Sequence, residues 1–325
     1  MTEIPTPGGV ADASAPAGPP PAVRLRPARP DDAPAAARVI PVALNDLYRR
    51  QGRALLAEDQ GCAPVLAHLA RDPGASFWLA ETDEGVVGLG LGLRRSDLWF
   101  LSALFVAPAW QGRGLGRALL ERAQGNRTSQ CRAAVLSSAS NEVSNRLYAS
   151  YGMLPQLAVL GLHGPLPLVP VSPLPRGLEP VALAGDAAAL AALRSIDAAV
   201  LGIDRTVDHR WLLGEAGRAA WLFVRSGHPA AYAYLGGDGT IGPDSAGPVA
   251  AVRSPDVASV VAWALGRLAA RGSAEATVLV PGANLAVQRL LWGAGFRFHE
   301  ATALFGADRR FDRLDRYCFA GDALM

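Results

Sequence analysis

The sequence predicts an α/β protein built from two consecutive copies of one domain. Strand-like and helix-like segments alternate up to about residue 163, stop in a proline-rich stretch, and then start again in a similar order. The two halves also end alike. Asn141 precedes Tyr148 and the pair Gly152-Met153, and Asn284 precedes Leu291 and the pair Gly295-Phe296 at the same spacings. At 325 residues, half of them hydrophobic, the chain is long enough to bury two cores.

Residues 1–22 are rich in Pro, Gly and Ala with little to bury, and are expected to be a disordered tail. Residues 23–26 read as a short strand. Asp31 and Asp32 then stand at the start of an Ala-rich helix, where carboxylates complement the helix dipole. A second helix is expected over 63–70. Residues 76–81 and 86–93 read as strands paired around the turn Asp83-Glu84-Gly85. The near-continuous apolar run 98–106 suits a strand buried on both faces. A glycine-rich turn follows, then a helix to about 124, a buried strand over 133–137, and a helix over 141–151 that closes at Gly152.

Five prolines between Gly164 and Gly177 argue against a helix or a central strand, so 164–177 reads as a linker. It separates a first domain, 23–163, from a second, 178–325. In the second, helices are expected over 186–197, 257–271 and 284–293, and strands over 219–225, 230–235, 249–252 and 277–280.

A formal charge of +2 without a like-charge run points to no nucleic acid and no anionic membrane surface as partner. All the basic side chains are Arg, in keeping with a general compositional bias toward Ala, Gly and Pro. Cys62, Cys131 and Cys318 are scattered and give neither a disulfide framework nor a metal site, so no metal is expected. The first residues lack the pattern of a signal peptide, and no apolar run of about 18 residues is present. A cytoplasmic location is the expectation.

The chemistry concentrates in Gln111-Gly112-Arg113-Gly114-Leu115-Gly116-Arg117, between a strand and a helix. The first amides of a helix are unpaired and its dipole favours an anion there. Glycines at 112, 114 and 116 let backbone approach a diphosphate, and Arg113 and Arg117 add positive charge. A P-loop would need a lysine, and there is none; the requirements of a dinucleotide-binding loop are not met either.

The run from Val106 to Leu120 resembles the acetyl-CoA motif of GNAT N-acetyltransferases, with its Q/R-x-x-G-x-G/A core. The segment from Asn141 to Tyr148, closed by Gly152-Met153, resembles that family's second signature, with Met153 replacing the usual Phe. The resemblance implies two tandem GNAT-like α/β domains, each a mixed, largely antiparallel sheet flanked by helices. It implies that Gln111, Gly112, Arg113, Gly114, Leu115, Gly116 and Arg117 bind acetyl-CoA as co-substrate. The backbone of Leu104, Phe105 and Val106 would pair with the pantetheine amides, and Asn141 would bond the same arm. Tyr148 would be the catalytic acid that protonates the leaving thiolate. On residue type alone, Asn141 also reads as a helix cap and Tyr148 as a packed aromatic.

The strands 98–106 and 133–140 lack the carboxylate that related enzymes use as general base. Glu58, Asp59, His68 and Asp97 are candidates elsewhere, as is a water chain. Trp78, Trp99, Phe100 and Tyr48 could line an acceptor pocket or pack the core. In the second half the turn after Val252 is Arg253-Ser254-Pro255-Asp256, without glycine, and Leu291 replaces the tyrosine. That half is expected to be a degenerate copy. The stretch Leu201–His209 reads as a salt-bridged helix cap or as the lining of a remnant pocket. The function expected is acetyl transfer to a small-molecule amine. Alternatives are a protein amine acceptor and a non-catalytic acyl-CoA sensor or scaffold, and a homodimer is conceivable in each case.

Overall fold

The structure, a computed structural model, describes residues 22–57, 61–170, 173–307 and 311–325. The tail expected over 1–22 lies outside the described residues except for Ala22, and Glu58 and Asp59 lie outside them too. In the first half the elements are β1 (Arg24–Pro27), α1 (Ala33–Arg50), α2 (Ala63–Arg71), β2 (Ala75–Thr82), β3 (Gly85–Arg95), β4 (Leu98–Val106), α3 (Leu115–Ala123), β5 (Arg132–Ser138), α4 (Glu142–Ala149) and β6 (Leu154–Pro165). The second half has β7 (Leu178–Ala182), α5 (Ala187–Val200), α6 (Thr206–Leu213), β8 (Ala220–Arg225), β9 (His228–Leu235), β10 (Ala246–Ala251), α7 (Ser254–Ala269), β11 (Glu275–Pro281), α8 (Leu285–Gly293) and β12 (Arg297–Gly306). The order β-α-α-β-β-β-α-β-α-β thus occurs twice, and a short β13 (Tyr317–Cys318) follows the second copy.

The repeat extends to single hydrogen bonds. Asn141 caps α4 by accepting from the Ser144 amide at 3.2 Å, and Asn284 caps α8 by accepting from the Val287 amide at 3.2 Å. Asn145 donates to the carbonyls of Ser138 and Ala139, and Gln288 to those of Pro281 and Gly282. Gly152 and Gly295 close the helices at φ 79° and 78°, a conformation that favours glycine.

The strands are exchanged across the repeat. One sheet runs β1-β2-β3-β4-β5-β12-β6-β11 and the other β13-β10-β9-β8-β7. β12 of the second half lies between β5 and β6 of the first, and β6 lies between β12 and β11. Val159 pairs with Thr302, its own repeat equivalent, so a pseudo-twofold axis passes between β6 and β12. The residues around the linker differ from expectation at one end: β6 continues through Gly164 and Pro165, which pair with Ala276 and Glu275. The eight-stranded sheet therefore draws its strands from both halves.

β3 shows how residue choice places the site. Leu89, Leu91 and Leu93 enter the main core with α1 and α2. The intervening Gly88, Gly90 and Gly92 leave the opposite face flat, and α3 lies directly on it: a Cβ at Gly90 would stand 2.8 Å from the Leu119 carbonyl oxygen. Two-residue alternation of Gly and Leu therefore fixes how near α3 comes to the sheet.

The halves are also tied by buried charge. Arg95, at the end of β3, bonds Asp208 on α6 and Asp72 after α2. His68 stacks on Trp211 at 4.9 Å. Arg205 pairs with Asp197 and reaches the hydroxyls of Tyr232 and Tyr317. The stretch Leu201–His209 is thus ion-paired, and Asp204 accepts from the Thr206 amide at the start of α6.

Candidate active site

β4 and β5 run parallel and are paired only from Leu98↔Arg132 to Leu101↔Val135. Beyond that they splay. The divergence begins where β4 carries a bulge: Leu91 faces Ala103 and Gly92 faces Leu101, which leaves Ser102 as the extra residue. The backbone of 102–106 and 136–138 consequently borders an open cleft instead of a neighbouring strand. That cleft widens into a cavity of about 400 Å³.

The glycine turn forms one wall. Gly112 and Gly114 have φ of 74° and 80°, and a Cβ at either position would meet nothing within 4 Å, so the turn presents bare backbone. Gly114 is the N-cap of α3, and the amides of 115–117 are the unpaired ones of a helix start. Gln111 Nε2 donates to the Val106 carbonyl at 2.9 Å, pinning the turn to the end of β4. The arrangement can receive an anion at the turn and an extended, amide-bearing chain in the cleft.

Of the residues singled out in the sequence, Leu104, Phe105, Val106, Gln111, Gly112, Gly114, Leu115, Gly116, Arg117, Asn141 and Tyr148 all line this cavity. Arg113 does not; its guanidinium lies 5.1 Å above the Trp110 ring. Tyr148 is 5% exposed and packs edge-on against Phe305. Burial pushes its phenol up to about 12, against a smaller opposing effect of a hydrogen bond with Ser144. It therefore holds its proton at neutral pH. Asn141 caps α4 through its oxygen and lines the cavity as well.

The general-base candidates fare differently. His68 stacks in the core on Trp211, and Asp97 is paired with Arg132. Neither lines the cavity. Two other carboxylates do: Glu300 on β12 and Asp322 in the final segment. Strand exchange brings Glu300 in, so proximity in sequence gave no signal for it. Tyr48 also lines the cavity and donates to Glu300 at 3.1 Å, while Arg53 lies over the Tyr48 ring and 3.4 Å from Glu300. Trp99 and Phe100 are buried in the core, and Trp78 packs beside Leu119.

The equivalent place in the second half is filled. β10 and β11 do not pair as β4 and β5 do; one parallel bridge, Ser245↔Thr277, lies just before β10. Between them runs the chain's own segment 317–319: Cys318 and Tyr317 pair with Val249 and Ala250, and Phe319 bridges Leu279. Asn284, the counterpart of Asn141, donates Nδ2 to the Tyr317 carbonyl at 3.1 Å. Where a glycine turn would be needed, α7 begins with Ser254-Pro255-Asp256, and Asp256 is paired with Arg225 at 2.8 Å.

Residues 73–152, which hold the split strands, the glycine turn and Tyr148, match the model of the acetyltransferase (GNAT) domain. The chain carries a GNAT acetyltransferase domain. Its fold is that of tandem GNAT proteins. One similar structure is a proposed acetyltransferase from Pyrococcus horikoshii, 17% identical, with a TM-score of 0.67 over 93% of this chain and 96% of that one. A second is a tandem GNAT protein from the clavulanic acid biosynthesis pathway, 17% identical, TM-score 0.60, covering 89% of this chain and 99% of the other. A third is a GCN5-related N-acetyltransferase from Sphaerobacter thermophilus, 22% identical, TM-score 0.56, covering 87% and 95%. No curated protein matches the sequence.

Proposed function

We propose that this chain is an acetyl-CoA-dependent N-acetyltransferase that moves acetyl to the amine of a small molecule by direct transfer. The observation that carries the reading is one cavity lined by the glycine turn, the split between β4 and β5, and the Tyr148 phenol. The diphosphate would rest on the amides of 115–117, with Arg117 adjacent, and the pantetheine arm would run along the β4 edge. Asn141 Nδ2 would donate to that arm, as Asn284 Nδ2 does to the carbonyl of the segment in the second half. Tyr148 would hand its proton to the departing sulfur. Holding amine and thioester together supplies the proximity that direct transfer needs.

α1 and the final segment line the side of this cavity away from the glycine turn, and we read the acceptor held there as a small molecule. With its cleft occupied by 317–319, the second half is read as a copy without a cofactor site, so one acetyl-CoA binds per chain. Among the described residues no helix is long and apolar enough to cross a membrane, and we place the protein in the cytoplasm as a proposal.

The Tyr148→Phe variant tests catalysis against mere sensing. It should lower kcat about 10²- to 10⁴-fold while leaving the acetyl-CoA Kd within twofold. An unchanged kcat would remove Tyr148 from the chemistry. Wild-type protein that binds acetyl-CoA tightly yet turns over no acceptor would favour a sensor.

A further inference from the structure

The final segment does more than fill the second cleft. After Phe319 it crosses to the first half, and five hydrogen bonds fix its course. The Ala320 carbonyl accepts from the Asp238 amide at 2.9 Å. The Asp322 amide donates to Thr240 Oγ1 at 2.8 Å. Asp238 Oδ2 accepts from the amides of Ala323 and Leu324 at 3.1 and 2.8 Å. The Ala323 carbonyl accepts from Ser102 Oγ at 2.7 Å. Ser102 is the bulge residue at which β4 leaves β5. The segment is therefore pinned at the apex of the split, and Asp322, one residue before that contact, lines the cavity.

Resting on the acetyltransferase reading above, we propose that Asp322 is the general base, taking a proton from the ammonium of a primary amine held in this cavity. Among the described residues its carboxylate makes no hydrogen bond or ion pair, whereas Glu300 beside it is engaged by Tyr48 and Arg53. A carboxylate at the cavity wall without a cation of its own is completed by a cationic acceptor. Leu44, Leu47 and Leu136 line the same space and favour an apolar group next to that ammonium. The groups facing Asp322 are Glu300 from β12, Asp238 from the loop after β9 and Tyr48 from α1. Burial, then Glu300 and Asp238, push its carboxyl up to about 7, which suits proton transfer near neutral pH. Of these three, Glu300 shares its charge with Arg53.

The step balances. Asp322 takes one proton from R–NH₃⁺, and the amine nitrogen forms the C–N bond to the thioester carbon. The C–S bond breaks, and Tyr148 protonates the leaving sulfur. The second nitrogen proton restores the Tyr148 phenol, and Asp322 releases its proton to solvent as product leaves.

The test uses the full chain, acetyl-CoA and a panel of primary alkyl and aryl amines with their alcohol counterparts. Wild type should acetylate amines and not alcohols, with kcat rising on an acid limb near pH 7. Asp322→Asn keeps the backbone anchors and should lose about 10²-fold or more in kcat and lose the limb, with acetyl-CoA Kd unchanged. Glu300→Gln removes a like charge and should move the limb to lower pH. An Asp322→Asn enzyme with wild-type rate and pH profile would overturn the assignment. So would transfer to no amine by a wild type that still binds acetyl-CoA. Absence of acetyl-CoA binding would instead mark failure of the underlying reading, and the base would fall with it.

Discussion

The alternation of Gly88, Gly90 and Gly92 with leucine gives a graded prediction for stability and for the site together. In each position Ala is substituted. At Gly88 the new Cβ would lie 3.0 Å from Leu119 Cδ1, the free end of a flexible side chain. At Gly90 it would stand 2.8 Å from the Leu119 carbonyl oxygen and 3.0 Å from its Cβ, so the backbone of α3 must retreat by about half an ångström. At Gly92 it would run into the Ala123 carbonyl oxygen and stand 2.6 Å from Trp99 Nε1, on a ring that is fully buried and bonded to Asn126. Overpacking of this kind costs about 1–3 kcal/mol, and less where a side chain can turn away. Removing strand glycine regains roughly 0.5–1 kcal/mol through the unfolded chain. Gly88→Ala should therefore be near neutral and Gly90→Ala about 1–2 kcal/mol destabilised. Gly92→Ala should cost about 3 kcal/mol or more. With about 2–4 °C per kcal/mol, Gly90→Ala lowers Tm by roughly 2–8 °C. Calorimetry and chemical denaturation read the order, and acetyl-CoA titration reads the shift of the α3 turn. Gly92→Ala as stable as Gly88→Ala would refute the argument that α3 is seated on bare backbone.

Two further outcomes follow from buried charge. Burial alone would raise the Asp208 carboxyl, but the Arg95 guanidinium outweighs it and holds the group far below the ordinary carboxylate range. Because the folded value lies below the unfolded one of about 3.9, the contribution is present above that pH and is lost as pH falls toward the folded value. Asp208→Asn should cost about 1.5–3 kcal/mol at pH 7, since Arg95 keeps Asp72 but loses the charge-assisted bonds to Asp208, and the variant should lose less stability than wild type between pH 5 and pH 3 in urea melts. For Tyr148, titration at about 12 means that its loss as an acid produces no alkaline limb in kcat below about pH 11; a limb tracking Tyr148 near pH 9 in a profile compared with Tyr148→Phe would contradict its burial.

Sequence pattern alone located β4 over 98–106 to the residue, because an unbroken apolar run bounded by Asp97 and Pro108 has few other uses. The glycine turn and the α4 segment were equally legible, since each rests on local backbone requirements: positive φ at Gly112, Gly114 and Gly152, and capping by Asn141. Partnership between strands was not. β6 and β12 carry Gly and Pro or charged residues that blur two-residue alternation, and pairing of Val159 with Thr302 depends on a distant strand. Strand exchange is why Glu300 escaped notice. Asp322 escaped for a similar reason, since its place depends on Asp238, Thr240 and Ser102, each far away in sequence. His68 and Asp97 were plausible by residue type and turned out to be committed to packing and to an ion pair. Arg113 had the right charge, but the turn directs it onto Trp110.

The central claim is one acetyl-CoA site per chain, at the turn between β4 and α3. Isothermal titration of acetyl-CoA into the wild type and a Gly114→Glu variant tests it most directly. Gly114 sits at φ 80° with open space before it, so a glutamate there adds backbone strain and a negative charge where the diphosphate would rest. One site per chain in the wild type, abolished in the variant, is the expected result. Two sites per chain would contradict the closure of the second cleft by residues 317–319, and no binding to the wild type would contradict the site itself.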